Sequence, residues 1–389
     1  MPKVRSLLKR LFTPYGLRVI SGVKNYAVLR NVYGSRSERR VLISYIKEPF
    51  LRSSLSHTNF YEATLAAKIF DDLGYCVDVM HYEGRIPRLD GYRAIYGFGD
   101  VFKSYFEGGC GEAKTVYYGA GMHVCHQNNA TLARVKDVYK KKGVWLCRSA
   151  RYVEKTWSHQ TVLVDGIIAL GNEQCAETYR KHYDGPVLAC PAPFFQTLDY
   201  RQVMQCRKPS ASKGYLWFGS IGLIHKGLDL CLEYFQENPD LDLHICGDIY
   251  LEPDFVDAYR DALFGCPNIH VHGFVSVQSD IFKDILSSCA FAVFPSCSEG
   301  GGASVLTVVG NGALIPVVSR ESSVTANHGV LIPSLTPAGF TEAMAKTRLM
   351  SDEKIKELQV MSAKFVIEQN SIENYERVLK AHIMSLLEG

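Results

Sequence analysis

The sequence predicts an α/β protein made of two doubly wound, Rossmann-like parallel-sheet halves. Three observations lead there. Short apolar strands alternate with helix-like stretches along the chain, the pattern of parallel strands joined by crossover helices. The alternation breaks once, in the polar stretch 196–213, and then restarts. The length of 389 residues, 47% apolar and 21% charged, suffices for two cores of ordinary domain size.

In the first half, "RVLISYI" (40–46) reads as a buried strand and "NFYEATLAAKIFDDLGY" (59–75) as a helix. Asn59 and Glu62 resemble a capping box, and Gly74 suits the helix end. Strands follow at 76–82, 92–98 and 114–121, then a helix at 129–143, a strand at 162–171, a helix at 172–183 and a closing strand at 185–195. Residues 196–213 end in Pro-Ser-Ala-Ser-Lys and read as the linker.

In the second half, strand 214–220 precedes helix 227–238, whose Leu228, Cys231, Leu232 and Phe235 line one face. Strands at 241–247, 268–274, 290–296 and 314–319 alternate with helices at 255–265, 279–289 and 303–312, and two helices finish the chain at about 351–368 and 371–387. The domains are therefore set at 1–200 and 212–370, with the last helix, about 371–389, a candidate to pack back on the first. Two such halves imply a cleft, with ligands at the carboxyl ends of the strands.

No apolar run reaches the 18–20 or so residues of a membrane span, and the start has no secretory apolar core or cleavage site. A cytoplasmic protein is expected. Twelve cysteines without CxxC spacing fit reduced thiols rather than a disulfide framework. The net charge of +3 is uneven: residues 1–40 hold ten Lys/Arg and one acid, Glu38, and so carry +9. Val4, Leu7, Leu8, Leu11 and Phe12 recur at helical steps beside Arg5, Lys9 and Arg10. Such an arm can dock on an anionic membrane surface or simply pack on the body with its charges in water. Nucleic acid is not an expected partner, because no basic patch with interleaved aromatics follows.

Two stretches of the second half carry chemistry. In "FPSCSEGGGASVLTVVGNG" (294–312) a strand delivers Glu299, then Gly300, Gly301 and Gly302, to the start of a helix. A helix start has unpaired N–H groups and partial positive charge, and glycines let that backbone approach a phosphate or a sugar hydroxyl. In isolation the stretch reads better as a flexible turn with a solvated acid. "FGSIGLIHKGLDL" (218–230) repeats the arrangement with Gly219, Ser220, Gly222 and Lys226. One Gly-rich turn with a cation and another with an acid suit a ligand bearing both phosphates and a sugar.

These two stretches, with "LHICGD" and "NIHVHGFV" between them, resemble the nucleotide-sugar half of GT-B glycosyltransferases of the GT4, or glycosyl transferases group 1, type. The resemblance covers residues 214–320; the first half is similar in element order. It implies that Lys226 contacts the donor diphosphate, that Gly219, Ser220 and Gly222 border it, and that Glu299 holds the donor sugar. It also implies that Gly300, Gly301, Gly302 and Ala303 offer backbone N–H groups and that Gly273 and Phe274 face the nucleobase. Two positions depart from the family. Ser220 stands where an Arg is usual, and Thr307 stands eight residues after Glu299, where a second acid usually holds the ribose. Loss of that charge-assisted contact costs on the order of 1.5–3 kcal/mol of donor affinity.

"YYGAGMHVCHQNNATLAR" (117–134) puts His123, His126, Gln127, Asn128 and Asn129 in one loop after a strand. The resemblance implies that His123 faces the donor sugar, with His126 the next choice, and that His126 and Asn128 lie on the acceptor side. A structural histidine is the competing reading. His-x-Cys-His offers three close ligands with no fourth in view, so no metal is expected. Arg134 can reach an anion or sit in solvent. Arg52, Ser53 and His57, in the loop after the first strand, are acceptor-side by the same resemblance; "SHTN" also reads as a helix cap. Asn172 and Glu173 lie at a strand end.

The resemblance thus implies sugar transfer from a nucleotide-diphosphate donor to a hydroxyl of a glycan or lipid-linked glycan. It further implies retention of configuration, independence of a metal, and work on bacterial surface polysaccharide (lipopolysaccharide, O-antigen or capsule) at the inner face of the cytoplasmic membrane. A degenerate GT-B scaffold that binds without turnover, and an inverting GT-B enzyme, remain open alternatives.

Overall fold

The computed structural model describes residues 27–52, 57–109, 111–146, 148–325 and 327–388. The amphipathic part of the basic arm and the candidate Ser53 lie outside the described residues. The first sheet is built from β1 (Arg40–Tyr45), α1 (Asn59–Asp72), β2 (Cys76–His81), β3 (Tyr92–Gly97), α2 (Val101–Glu107), β4 (Lys114–Gly119), α3 (Val124–Lys142), β5 (Gly166–Leu170), α4 (Glu173–Arg180) and β6 (Val187–Cys190). Its six strands run in the order β2-β1-β3-β4-β5-β6. Every residue of β2 is buried, as expected of a parallel strand with helices on both faces.

The second part comprises α5 (Tyr200–Gln205), β7 (Gly214–Phe218), α6 (Leu228–Glu237), β8 (Asp242–Cys246), β9 (Ile269–Gly273), α7 (Asp280–Ser287), β10 (Phe291–Phe294), α8 (Ala303–Gly312), β11 (Ile315–Ser319), β12 (Val330–Ile332), α9 (Pro337–Arg348), α10 (Asp352–Asn370) and α11 (Ile372–Glu388). Its strands are parallel throughout, in the order β12-β11-β10-β7-β8-β9. Two parallel six-stranded sheets with flanking helices are the GT-B architecture. The chain divides into two compact units: Met1–Tyr118, His159–Ile167 and Ile383–Gly389 form one, Gly119–Ser158 and Ile168–His382 the other. Both Gly-rich loops and the His123 loop belong to the second. No described helix is long and apolar enough to cross a membrane.

Several elements differ from the sequence reading. α3 begins at Val124, so His126 to Asn129 lie on its first turns and not in a loop. The His123 imidazole accepts from the Cys125 N–H and caps the helix, a role that a scan for Ser, Thr, Asp or Asn caps passes over. α1 is capped at Thr58, without a capping box. Glu62 instead accepts from Thr58 Oγ1 (2.9 Å), Tyr45 OH (2.6 Å) and Tyr118 OH (3.1 Å). The linker stretch contains α5, with Tyr200 and Val203 buried. The helix expected at 255–265 is two short helices, Pro253–Ala258 and Arg260–Gly265. α2, β12 and α9 have weak sequence patterns and were not expected.

Arg30 and Arg40 of the basic arm are structural. Both pair with the fully buried Asp78, at 2.7 and 2.5 Å, which also accepts from Tyr92 OH and the Asn31 N–H. Burial pushes the Asp78 carboxyl up; the hydrogen bonds of Tyr92, Asn31, Arg40 and Arg30 outweigh it and hold it below its ordinary value.

Candidate active site

The second sheet explains why two distant loops meet. β7 lies between β10 and β8, so connections leave it in opposite directions. The loops at the carboxyl ends of β7 (219–227) and β10 (295–302) are therefore neighbours at a topological switch point. His225 joins them. Its carbonyl accepts from the Cys297 N–H (2.9 Å) and Ser296 Oγ (3.2 Å). Its Nε2 donates to the Ser298 carbonyl (2.5 Å), and Cys297 Sγ lies 3.5 Å from Nδ1. Burial pushes this imidazole down to about 3, against the pull of Glu299, so it is a neutral strut at pH 7. The loops approach so closely that a Cβ on Gly227 (φ +69°) would lie 2.2 Å from the Pro295 carbonyl oxygen.

Lys226 and Glu299, one from each loop, form a direct ion pair between Nζ and Oε1. Ser296 Oγ donates to the same carboxylate oxygen at 3.0 Å. Arg151 Nη1 lies 3.8 Å from Oε2, with its side chain 42% exposed, against 6% for Lys226 and 12% for Glu299. The ammonium lies 5.3 Å from the centroid of the Phe294 ring. Burial pushes the Glu299 carboxyl up, but Lys226 and then Arg151 outweigh it and bring it down to about 2. Burial also lowers Lys226, partly offset by Glu299. The cluster is thus one carboxylate between two cations, with a surplus positive charge that can meet an anion.

Glu252, 2% exposed, holds the first loop open by accepting from the Gly222 and Leu223 N–H groups. Gly222 has φ +95°, and a Cβ there would meet Arg151 Cδ at 2.4 Å. The three glycines after Glu299 are required by protein packing as well. Added Cβ atoms would lie 2.4 Å from the Ala120 carbonyl oxygen at Gly300, 2.3 Å from Ala192 Cβ at Gly301 and 2.5 Å from Val324 Cγ2 at Gly302. Their N–H groups have no partner among the described residues, and Ala303 opens α8. Thr307 donates its hydroxyl to the Ala303 carbonyl at 2.8 Å. Ser220 is exposed. Gly273 ends β9 with φ +68°, and Phe274 after it is 68% exposed.

His123 is 1% exposed. Its ring stacks on His182 at 4.3 Å and meets Tyr179 edge-on. Burial, then His182 and His126, bring it down to about 4. Burial, then Lys181 and His182, lower His126, whose Nε2 is buried without a partner among the described residues. Asn128 spends its amide on the Val153 backbone, at 2.9 and 2.8 Å, and Gln127 Nε2 donates to the Arg151 carbonyl at 2.7 Å. Both side chains therefore secure the segment that carries Arg151. Arg134 is buried against Asp229 (2.5 Å) and is not available to a ligand. Asn172 caps α4, and Glu173 pairs with Arg180. In the other unit, Arg52 and His57 are exposed, and His57 Nδ1 accepts from the Asn59 N–H.

Sequence reading missed Arg151, His225 and Glu252. His225 adjoins Lys226 and could have been found there. Arg151 and Glu252 lie in stretches without a motif, and only the fold brings them in.

Residues 212–350 match the family described as glycosyl transferases group 1. No curated protein matches the sequence significantly. A glycosyltransferase from Rickettsia africae ESF-5 superposes with TM-score 0.57 at 11% identity, over 90% of this chain and 99% of that one. Anabaena Alr3699/HepE, solved with UDP and glucose, gives 0.55 at 10% identity, over 89% and 99%. TarM gives 0.52 at 14%, over 76% of this chain and 55% of its own, so the chain spans about half the length of TarM. Likeness at these identities shows the fold, and the family match covers the second sheet. Residues 212–350 thus carry a glycosyl transferases group 1 domain, in a chain with the GT-B fold.

Proposed function

We propose that the protein transfers a sugar from a nucleoside-diphosphate donor to a hydroxyl of a glycan or lipid-linked glycan, with retention at the anomeric carbon. The observation that carries this is the Lys226–Glu299–Arg151 cluster between two Gly-rich helix starts. As the bond from the anomeric carbon to the diphosphate oxygen breaks, negative charge grows on the leaving group. Lys226, Arg151 and the free N–H groups at 300–302 are preorganised to stabilise it, the part a metal would otherwise play. Glu299, held ionised, accepts hydrogen bonds from sugar hydroxyls. His123, neutral at pH 7, is the residue proposed to face the sugar. UDP is the first nucleotide to test, because the Anabaena neighbour is solved with it.

The acceptor, a role in bacterial surface-polysaccharide assembly, and residence at the inner face of the membrane are parts of the same proposal. The basic arm supports them, although Arg30 and Arg40 are engaged by Asp78. A chain lacking residues 1–26 is expected to lose binding to anionic vesicles and to keep turnover of a soluble acceptor.

Thermal-shift screening with UDP, GDP, ADP and CMP sugars tests the donor, since a ligand at about 100 times its Kd adds roughly 2.7 kcal/mol of stability. Donor turnover abolished in Lys226→Ala and Glu299→Ala is the expected result. Binding without turnover of any sugar would favour a degenerate scaffold. One observation motivates that second reading: Thr307, at the usual acid position, has its hydroxyl proton committed to the Ala303 carbonyl. An inverted product by NMR would replace retention with inversion.

A further inference from the structure

We infer that His123, Cys125 and His182 form a binding site for a soft divalent cation, zinc or cobalt, whose occupancy blocks the sugar-transfer site. The sequence shows two of these ligands close together with no partner outside the motif. The fold supplies His182, two residues beyond α4, and brings one donor atom from each residue within 4.8 Å of the others. Imidazole and thiolate are the donors that zinc and cobalt prefer. Three protein ligands, drawn from His, Cys and carboxylate, with an open fourth position are a known zinc arrangement, with bonds of about 2.0–2.3 Å.

The side chains are arranged for capture. His123 is buried and fixed, with its ring stacked on His182 at 4.3 Å and 19° between the planes. Cys125 is an exposed free thiol, and His182 is exposed. A cation can therefore enter from solvent, and the two exposed ligands need to close by about 1 Å onto the buried one to reach bonding distance. The cation takes Cys125 as thiolate and releases its proton to solvent.

The site adjoins the proposed donor pocket. Tyr179 OH, on α4, donates to the Gly121 carbonyl at 2.7 Å. The 120–121 backbone in turn lies under Gly300, where a Cβ would come within 2.8 Å of Gly121 Cα. A metal on His123 withdraws the imidazole proposed to face the sugar. The inhibition rests on the proposed sugar transfer; the binding does not.

The experiment uses the full chain, freed of metal, with Co²⁺ and then Zn²⁺. One equivalent of Co²⁺ is expected to give visible bands of a four-coordinate ion and a near-ultraviolet thiolate-to-cobalt band. Cys125→Ser should lose the thiolate band. His182→Ala should weaken Zn²⁺ binding at least ~10-fold, since even outer-shell changes cost 10–100-fold. Cys206→Ser, at an exposed thiol elsewhere, should change nothing. Absence of the thiolate band, or equal affinity in wild type, Cys125→Ser and His182→Ala, overturns the site. For the second half of the inference, Zn²⁺ should abolish donor turnover by wild type and spare Cys125→Ser, which keeps basal activity. Stoichiometric zinc without inhibition overturns the blockade. If no nucleotide sugar is ever turned over, the sugar-transfer reading fails while the cobalt spectrum still decides the site.

Discussion

Lys226 Nζ and Glu299 Oε1 are bonded to each other across the two Gly-rich loops, nearly out of contact with water. The pair was expected as two separate ligand contacts, one for the diphosphate and one for the sugar. Each residue instead holds the other in the charged form and in place before any ligand arrives.

Removing one partner should therefore cost stability as well as activity. Lys226→Ala leaves a buried carboxylate with the Ser296 hydroxyl and the more distant Arg151 beside it, and breaking a buried pair typically costs about 3–5 kcal/mol. The double variant Lys226→Ala/Glu299→Ala should be less destabilised than the sum of the single ones. Urea denaturation of all four proteins in a double-mutant cycle measures the difference.

Arg151 should matter to donor binding more than to folding, because its side chain is 42% exposed. Arg151→Ala is expected to raise the donor KM about 10-fold or more, the loss of one charge-assisted contact of 1.5–3 kcal/mol, with little change in melting temperature. Asn128→Ala frees the Val153 backbone and should shift KM in the same direction by less. Steady-state kinetics with circular-dichroism melts separates the two effects.

Gly222→Ala should fail at the same place for steric reasons. Its φ of +95° strains any residue with a Cβ, and the 2.4 Å approach to Arg151 Cδ forces that side chain out of place. Loss of donor affinity and at least ~1 kcal/mol of stability are expected. Arg151→Ala in the same chain should recover only part of that stability, because the backbone strain remains.

His225 gives a pH dependence of definite sign. Its folded value of about 3 lies below its ordinary 6.5, so between these values the unfolded chain binds the extra proton. Stability should fall as pH drops through that window, by up to about 1.4 kcal/mol per pH unit. Glu299, about 2 when folded against 4.5 ordinarily, adds a loss of the same sign as pH falls below about 4.5. Urea melts between pH 7 and pH 4 should show the slope, and His225→Gln should flatten its upper part.

The sequence by itself determined the strand and helix alternation and the two Rossmann-like halves, and it pointed to Lys226, Glu299 and Gly300–Gly302 as candidates. Apolar period, helix-start chemistry and glycine runs are local properties and can be read along the chain. It did not reveal that His123 caps a helix, because imidazole is an uncommon cap, nor that α5 lies within the apparent linker, because six residues are too short a pattern. Only the tertiary structure decided that Lys226 and Glu299 touch, that Arg151 stands over Gly222, and that His182 comes beside Cys125. Those neighbours are set by strand order and packing at the ends of sheets, where residues far apart in the chain meet, and no local pattern encodes which ones.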